Sequence, residues 1–299
     1  MRTDVSDVTF PSNGMRLAAH LHLPDGAAAG VRLPAVVVGH PTTGVKEQTA
    51  TVYARRLAAE GCAALTFDAA YQGESEGEPR GLENPFQRAD DFREAVTYLT
   101  TRDDIDPERI GVLGICGSGG YVPFAAQTDH RMRAVATVSA ADVPSFFRDS
   151  DPEGFRKMVE QAGRLRSEEA RGEPATLVRA VPDTVDASTP APVREFHDYY
   201  RTPRAQHPRS TNEWVLRSVD EMAQFDSYAN VHMIAPRPLL MIVGSEAFTR
   251  GFSEDAVARA GDSAELFTVE GATHVDLYDR EEAVAPAVAE LARFFGKHL

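Results

Sequence analysis

Two residues that could act as nucleophiles stand close together in Gly114-Ile115-Cys116-Gly117-Ser118-Gly119-Gly120-Tyr121. The run before them, Ile110-Gly111-Val112-Leu113-Gly114-Ile115, is apolar and has strand character. It stops at a reactive side chain with small residues on both sides. That arrangement suits a sharp strand-to-helix turn, whose strained backbone tolerates only small neighbours. The usual pattern is G-x-S-x-G; this chain has G-x-C-x-S, with Cys116 in the reactive slot. Ser118 is the rival, because Gly120 follows two residues later. It would need Cys116 as its small residue two before and bulky Tyr121 three after. For Cys116 those positions hold Gly114, Ser118 and Gly119, so Cys116 is read as the nucleophile. The alternative is a structural cysteine in a Gly-rich turn.

A thiol with a pKa near ~8.5 is only partly ionised at neutral pH, so a positioned histidine is its natural activator. His274, in Gly271-Ala272-Thr273-His274, lies just past the final apparent strand and is the expected base. Glu246, in Gly244-Ser245-Glu246, is the expected acid that orients the imidazole, with Asp255 and Asp276 as alternatives. An oxyanion needs two preorganised N–H donors. The backbone of Gly117 is one and that of Thr42 the second; Pro41 has no N–H to offer.

Elements must bring these residues together. Residues 4–10 and 15–23 read as a hairpin around Pro11-Ser12-Asn13-Gly14. Pro34–Gly39, Ala63–Phe67, Ile110–Ile115 and Ala134–Ser139 read as buried parallel strands. Helices fit over 46–60, 84–101 and 119–128. Residues 142–233 show no convincing strand and read as a helical insertion. The sheet resumes at Pro238–Val243 and Ala264–Val269, and a helix closes the chain over 281–297. The expectation is a mostly parallel sheet of about eight strands with helices on both faces. Its core is residues 1–141 and 234–299, and residues 142–233 form a cap. Strand C-termini share one edge, where ligands bind. The cap should emerge there, with Tyr199, Tyr200 and Trp214, beside Phe196, as candidates to contact substrate.

Composition narrows the partners. The 299 residues carry a formal net charge of −14, with 42% hydrophobic and 25% charged residues. That argues against nucleic acid or an anionic membrane surface. Cys62 and Cys116 are the only cysteines, too few for a disulfide framework. No signal peptide is visible in MRTDVSDVTF, and no apolar run reaches the roughly 20 residues a membrane span needs. A reducing cytoplasm is the expected compartment. Oligomeric state is left open, a homodimer included. No HExxH spacing suggests a metal, no P-loop ending suggests a nucleotide, and Gly117-Ser118-Gly119-Gly120 lacks the dinucleotide spacing. No cofactor is expected.

The chain order Cys, acid, His is that of the α/β-hydrolases. The chain resembles their dienelactone-hydrolase-like branch, including capped bacterial members and fungal polyketide acyltransferases. The likeness rests on His40–Gln48, Phe67–Gly81, the Gly-Ile-Cys elbow, Tyr199–Pro203, Pro236–Ala247 and Gly271–Asp279. Departures are Ser118 where Gly is usual and Thr42-Thr43 where a Gly-rich oxyanion loop is usual. The resemblance implies an α/β-hydrolase fold and a Cys-His-acid attack on a small-molecule ester, lactone or thioester through an acyl-enzyme. Alternatives are transfer of a polyketide-like acyl group to an alcohol, and a catalytically silent small-molecule binder.

Overall fold

The computed structural model describes residues 4–26 and 30–299. The chain opens with β1 (Asp4–Ser12) and β2 (Met15–Leu23). Asn13 and Gly14 join them with φ of 44° and 82°. Such a two-residue turn matches the right-handed twist of a hairpin. Next come β3 (Leu33–Gly39), α1 (Thr49–Ala59), β4 (Ala63–Phe67), α2 (Pro85–Thr100), β5 (Ile105–Ile115), α3 (Ser118–Ala126) and β6 (Ala134–Val138). Every residue of β4 and β6 is buried, as expected of strands covered on both faces. Asn84 starts α2 by accepting hydrogen bonds from the Phe86 and Gln87 amides, with Pro85 in the first helical position.

An inserted segment follows: α4 (Val143–Ser150), α5 (Pro152–Glu169), β7 (Leu177–Arg179), α6 (Ala191–Tyr200), β8 (Glu213–Val215) and α7 (Val219–Met222). The chain ends with β9 (Leu239–Gly244), α8 (Arg250–Ala260), β10 (Ala264–Val269), α9 (Asp276–Asp279) and α10 (Glu281–His298). Among the described residues, no helix is long and apolar enough to cross a membrane.

The main sheet has eight strands in the order β1-β2-β4-β3-β5-β6-β9-β10. β2 is antiparallel to β1 and β4, and the remaining neighbours are parallel. One core layer includes Phe92 of α2, Tyr121 of α3 and Ala256 of α8. The opposite layer includes Tyr53 of α1 and Phe294 of α10. The α/β-hydrolase architecture read from the sequence is therefore present.

The insertion departs from expectation in two ways. It contains a strand pair, β7 antiparallel to β8. Its last stretch also does not belong to the cap's own packing. Phe225, Tyr228 and Val231 join the main core together with Ile234. The cap has a separate small core of Val143, Phe155, Ala162, Leu165, Trp214, Leu216, Val219 and Met222.

Candidate active site

β5 ends at Ile115, and Cys116 follows with φ of 55°. This left-handed conformation is costly for a residue with a Cβ and marks a strained turn. Its amide donates to Val138 O at 3.0 Å, and its carbonyl accepts from Gly119 (2.7 Å) and Ala141 (2.9 Å). The turn is tight: a Cβ on Gly114 would lie 2.1 Å from Ser118 O. Ser118 faces away from the reactive edge. Its hydroxyl donates to His40 O at 2.6 Å and accepts from Arg88 Nη2 at 3.2 Å.

The Gly117 and Thr42 backbone and the Tyr278 side chain beside the Cys116 thiol favour its ionised form. Gly117 sits directly against Thr42: a Cβ on it would lie 2.1 Å from Thr42 Oγ1. Burial still pushes the thiol pKa up, against these contacts and the nearby Arg88 charge. The Thr42 loop is braced from the cap. Ser210 Oγ donates to Thr43 O at 2.8 Å, and Asn212 Nδ2 donates to Thr43 Oγ1 at 3.2 Å. His40 is a structural residue of that loop. Its Nε2 accepts from the Ala69 amide at 3.1 Å, which leaves Nδ1–H to donate to Pro41 O at 2.7 Å.

His274 is fully buried, and its partners differ from those expected. Nδ1 lies 2.7 Å from Thr249 Oγ1, and Nε2 lies 3.0 Å from the Tyr278 hydroxyl. Glu246 does not reach it. The Glu246 amide donates to Ala272 O at 3.0 Å, while its side chain is exposed beside Ser245 Oγ. The loop then turns and carries Thr249, 1% exposed, inward to the imidazole. Asp255 pairs with Arg259 on α8, and Asp276 accepts from the Thr273 amide. Neither Asp255 nor Asp276 takes the acid's place. Burial lowers the His274 pKa to about 3. A carboxylate on Nδ1 would oppose that shift; a hydroxyl does so weakly.

Thr249 and Tyr278 were not singled out from the sequence. Tyr278 was within reach of sequence reasoning, being one helical turn past His274 in Thr273-His274-Val275-Asp276-Leu277-Tyr278.

The cap aromatics divide into groups. Trp214 packs in the cap's own core, its ring 5.4 Å from that of Phe147. Tyr199 is wedged between Tyr278 (5.0 Å) and the Arg204 guanidinium (5.5 Å). Tyr200 packs edge-on against Tyr278, with 6.4 Å between ring centroids. Its other side lines a polar surface cavity of about 680 Å³ with Arg201, His207 and Ser210. Two further rings flank the imidazole: Phe196 at 5.4 Å and Phe248 at 5.0 Å. Phe146 extends this group at 5.9 Å from Phe248, and both are more than a third exposed.

One group of carboxylates among the described residues has metal-like spacing: Glu47, Asp68 and Glu74. A cation of the chain fills it. Lys46 Nζ donates to Glu47 at 2.7 Å and to Asp68 at 2.9 Å, and it also contacts Glu74. This cluster, buried at Lys46 and Asp68 and exposed at Glu74, ties the loops after β3 and β4 together.

Comparison with known proteins agrees with this fold. Residues 17–141 match the model of the dienelactone hydrolase family. The uncharacterized protein YcjY of Escherichia coli K12 is 37% identical over 306 residues, covering 100% of both chains. The crystal structure of the hypothetical protein PA2218 of Pseudomonas aeruginosa superimposes with a TM-score of 0.93 at 36% identity. That match covers 99% of this chain and 94% of the other. A fungal protein, the thiohydrolase aneE of Aspergillus aculeatus, is 26% identical over 246 residues, or 80% of this chain and 76% of its own.

Proposed function

We propose that this chain, which belongs to the dienelactone-hydrolase-like α/β-hydrolases, cleaves an acyl thioester or ester with the Cys116 sulfur as nucleophile. The observation that carries this reading is the strained Cys116 at the end of β5, with Gly117 packed directly against Thr42. In the reaction the sulfur turns onto the substrate carbonyl carbon. The carbonyl oxygen, gaining negative charge, accepts from the N–H groups of Thr42 and Gly117. The leaving thiol or alcohol departs with the proton that Cys116 gave up, and His274 is the group that holds it in between. Water then attacks the acyl-enzyme and regenerates the thiol.

Thioesters are favoured over oxygen esters. Without a carboxylate on Nδ1, the imidazolium lacks the usual stabilisation for work at an alkoxide leaving group. Thiol–thioester exchange makes a smaller demand, because a thiolate leaves unaided more readily. The name of the fungal relative, a thiohydrolase, points the same way. The rings of Phe146, Phe196 and Phe248 around His274 favour an acyl group with an apolar body. Two free cysteines suit a reducing compartment such as the cytoplasm. A second reading, acyl transfer to an alcohol, draws on the burial of the site, with Cys116 only 8% exposed. A bound acceptor in such a place could outcompete water.

The test is intact-mass spectrometry after mixing with an octanoyl thioester of N-acetylcysteamine, with product analysis by chromatography. An octanoyl adduct should map to Cys116. Cys116→Ala should lose the adduct and at least ~10³-fold in turnover. Ser118→Ala should retain most of both. An adduct on another residue, or full turnover by Cys116→Ala, would overturn the proposal. Free octanoate as the only product selects hydrolysis over transfer.

A further inference from the structure

We infer that Arg88 is a positioning residue of the active site: its guanidinium clasps the His40 carbonyl and the Ser118 hydroxyl and so fixes the Thr42 loop against the Cys116 elbow. The inference rests on the reading of Cys116 as nucleophile, with the Thr42 and Gly117 amides as oxyanion donors. Arg88, in the first turn of α2, is buried. Its Nη2 donates to His40 O at 3.0 Å and to Ser118 Oγ at 3.2 Å. The Ser118 hydroxyl closes the triangle by donating to His40 O at 2.6 Å. His40 comes two residues before Thr42, and Ser118 directly follows Gly117. The clasp thus joins the two chain segments whose amides must face one oxygen.

The backbone is shaped to admit it. β3 ends at Gly39, where a Cβ would lie 2.1 Å from the Phe92 ring and 2.8 Å from Ser118 Oγ. A side chain there would displace the Ser118 hydroxyl from His40 O. Ser118, the rival nucleophile by sequence, is instead an anchor of the elbow. Ser118→Ala leaves the Arg88 bond to His40 O in place, in keeping with its small expected effect on turnover.

Ion pairing does not account for the placement of this charge. A buried cation offsets its loss of water best with its N–H groups on a carboxylate. The acidic partner of Arg88 is Glu83, also buried, and the approach is 3.6 Å, from Nε to Oε1. That is too long for a hydrogen bond. Arg88 Nε has no hydrogen-bond partner among the described residues. The Glu83 oxygens accept instead from the Tyr121 hydroxyl at 2.9 Å and from Gln72 Nε2 at 3.1 Å. The guanidinium directs its N–H groups at neutral groups on either side of the site, with Nη1 also 3.4 Å from His40 Nε2. A buried charge short of partners in this way calls for a functional explanation. Alignment of the oxyanion donors supplies one, because misplacement by ~1 Å can cost on the order of 10²-fold in rate.

The deciding variant is Arg88→Lys. It keeps a cation beside Glu83 but lacks the fork that reaches both acceptors, its ammonium ending about one bond short of Nη2. Two quantities are measured: steady-state kinetics with the octanoyl thioester, and the dissociation constant of octanal by calorimetry. In the aldehyde adduct the S–H bond breaks and the sulfur bonds to the carbonyl carbon. The C=O π bond opens, and the thiol proton ends on the oxygen, which takes the oxyanion position. Arg88→Lys should lose roughly 10- to 100-fold in kcat and in octanal affinity together, with KM within about twofold of wild type. Unchanged values, a change confined to KM, or a fall in kcat without the fall in octanal affinity overturns the inference. If Arg88→Lys does not fold, Glu83→Gln/Arg88→Met is held to the same criteria, since it removes both charges together. Failure of both to fold assigns Arg88 to the fold alone and also overturns it. Cys116→Ala decides the underlying reading separately: if it still turns over substrate, the nucleophile is elsewhere and the clasp falls with it.

Discussion

Thr249 Oγ1 faces Nδ1 of His274 at 2.7 Å, where an acid was expected. Glu246 was read from its place at the end of a buried strand, and the side chain that meets Nδ1 comes from the same loop three residues later. Which side chain of a tight turn points inward depends on the turn's hydrogen bonds, here Glu246 N to Ala272 O and Ala247 N to Gly244 O. The strained turn at Cys116 was legible for the opposite reason: it is a backbone feature that a Gly-rich stretch announces. The kinetic consequence is specific. Glu246→Gln should leave kcat within about twofold of wild type, as for an exposed surface residue. Thr249→Val strands a buried imidazole N–H, a loss of about 1–3 kcal/mol. If the lost contact acts in the transition state, kcat falls roughly 5- to 150-fold at similar KM. Steady-state kinetics with the octanoyl thioester check this, and the reverse ranking would return the acid role to Glu246.

Apolar strand runs were legible, two of them to the residue: Ala63–Phe67 and Ala264–Val269 have the expected bounds. β7 and β8 were missed because three residues carry no periodicity and are paired only through the tertiary fold. The cap shows the same limit. Its aromatics were visible in the sequence, but whether a ring faces the site or the cap's own core is decided by contacts distant in sequence. Trp214 sits in that core, and the group nearest His274 contains Phe248 from the loop after β9. Phe248→Ala should therefore lower kcat/KM for octanoyl thioesters by roughly tenfold, the scale of a lost apolar contact. Acetyl thioesters, too short to reach the ring cluster, should be affected much less. Equal losses for both chain lengths would show that Phe248 supports the His274 loop and does not contact the acyl chain.

Over the whole molecule, three buried histidines make folding depend on pH. His274 has its pKa lowered to about 3 by burial. His22 is lowered to about 4, by burial first and then by the His20 and Arg55 charges. Neither ring nitrogen of His22 has a hydrogen-bond partner. His40 is lowered well below its usual value, first by burial and then by Arg88. In the unfolded chain each titrates near ~6.5. A depressed folded pKa means that the unfolded state binds the extra protons. The stability these residues contribute is therefore complete above about pH 6.5 and is lost as pH falls toward their folded values. Buried carboxylates act the other way. Burial raises Asp91 to about 6, so it favours the fold as it takes up a proton below that pH, and burial raises Asp68 and Asp142 as well. The histidine effect is thus least opposed between pH 7.5 and 6. The free energy of unfolding in urea should fall across that interval. Each histidine adds up to about 1.4 kcal/mol per pH unit once its unfolded form is largely protonated. His22 lies on β2, outside the reactive cluster, so His22→Leu should flatten the dependence while leaving thioester cleavage at pH 7.5 near wild type. A variant with the wild-type slope would show that the acid sensitivity arises elsewhere in the molecule.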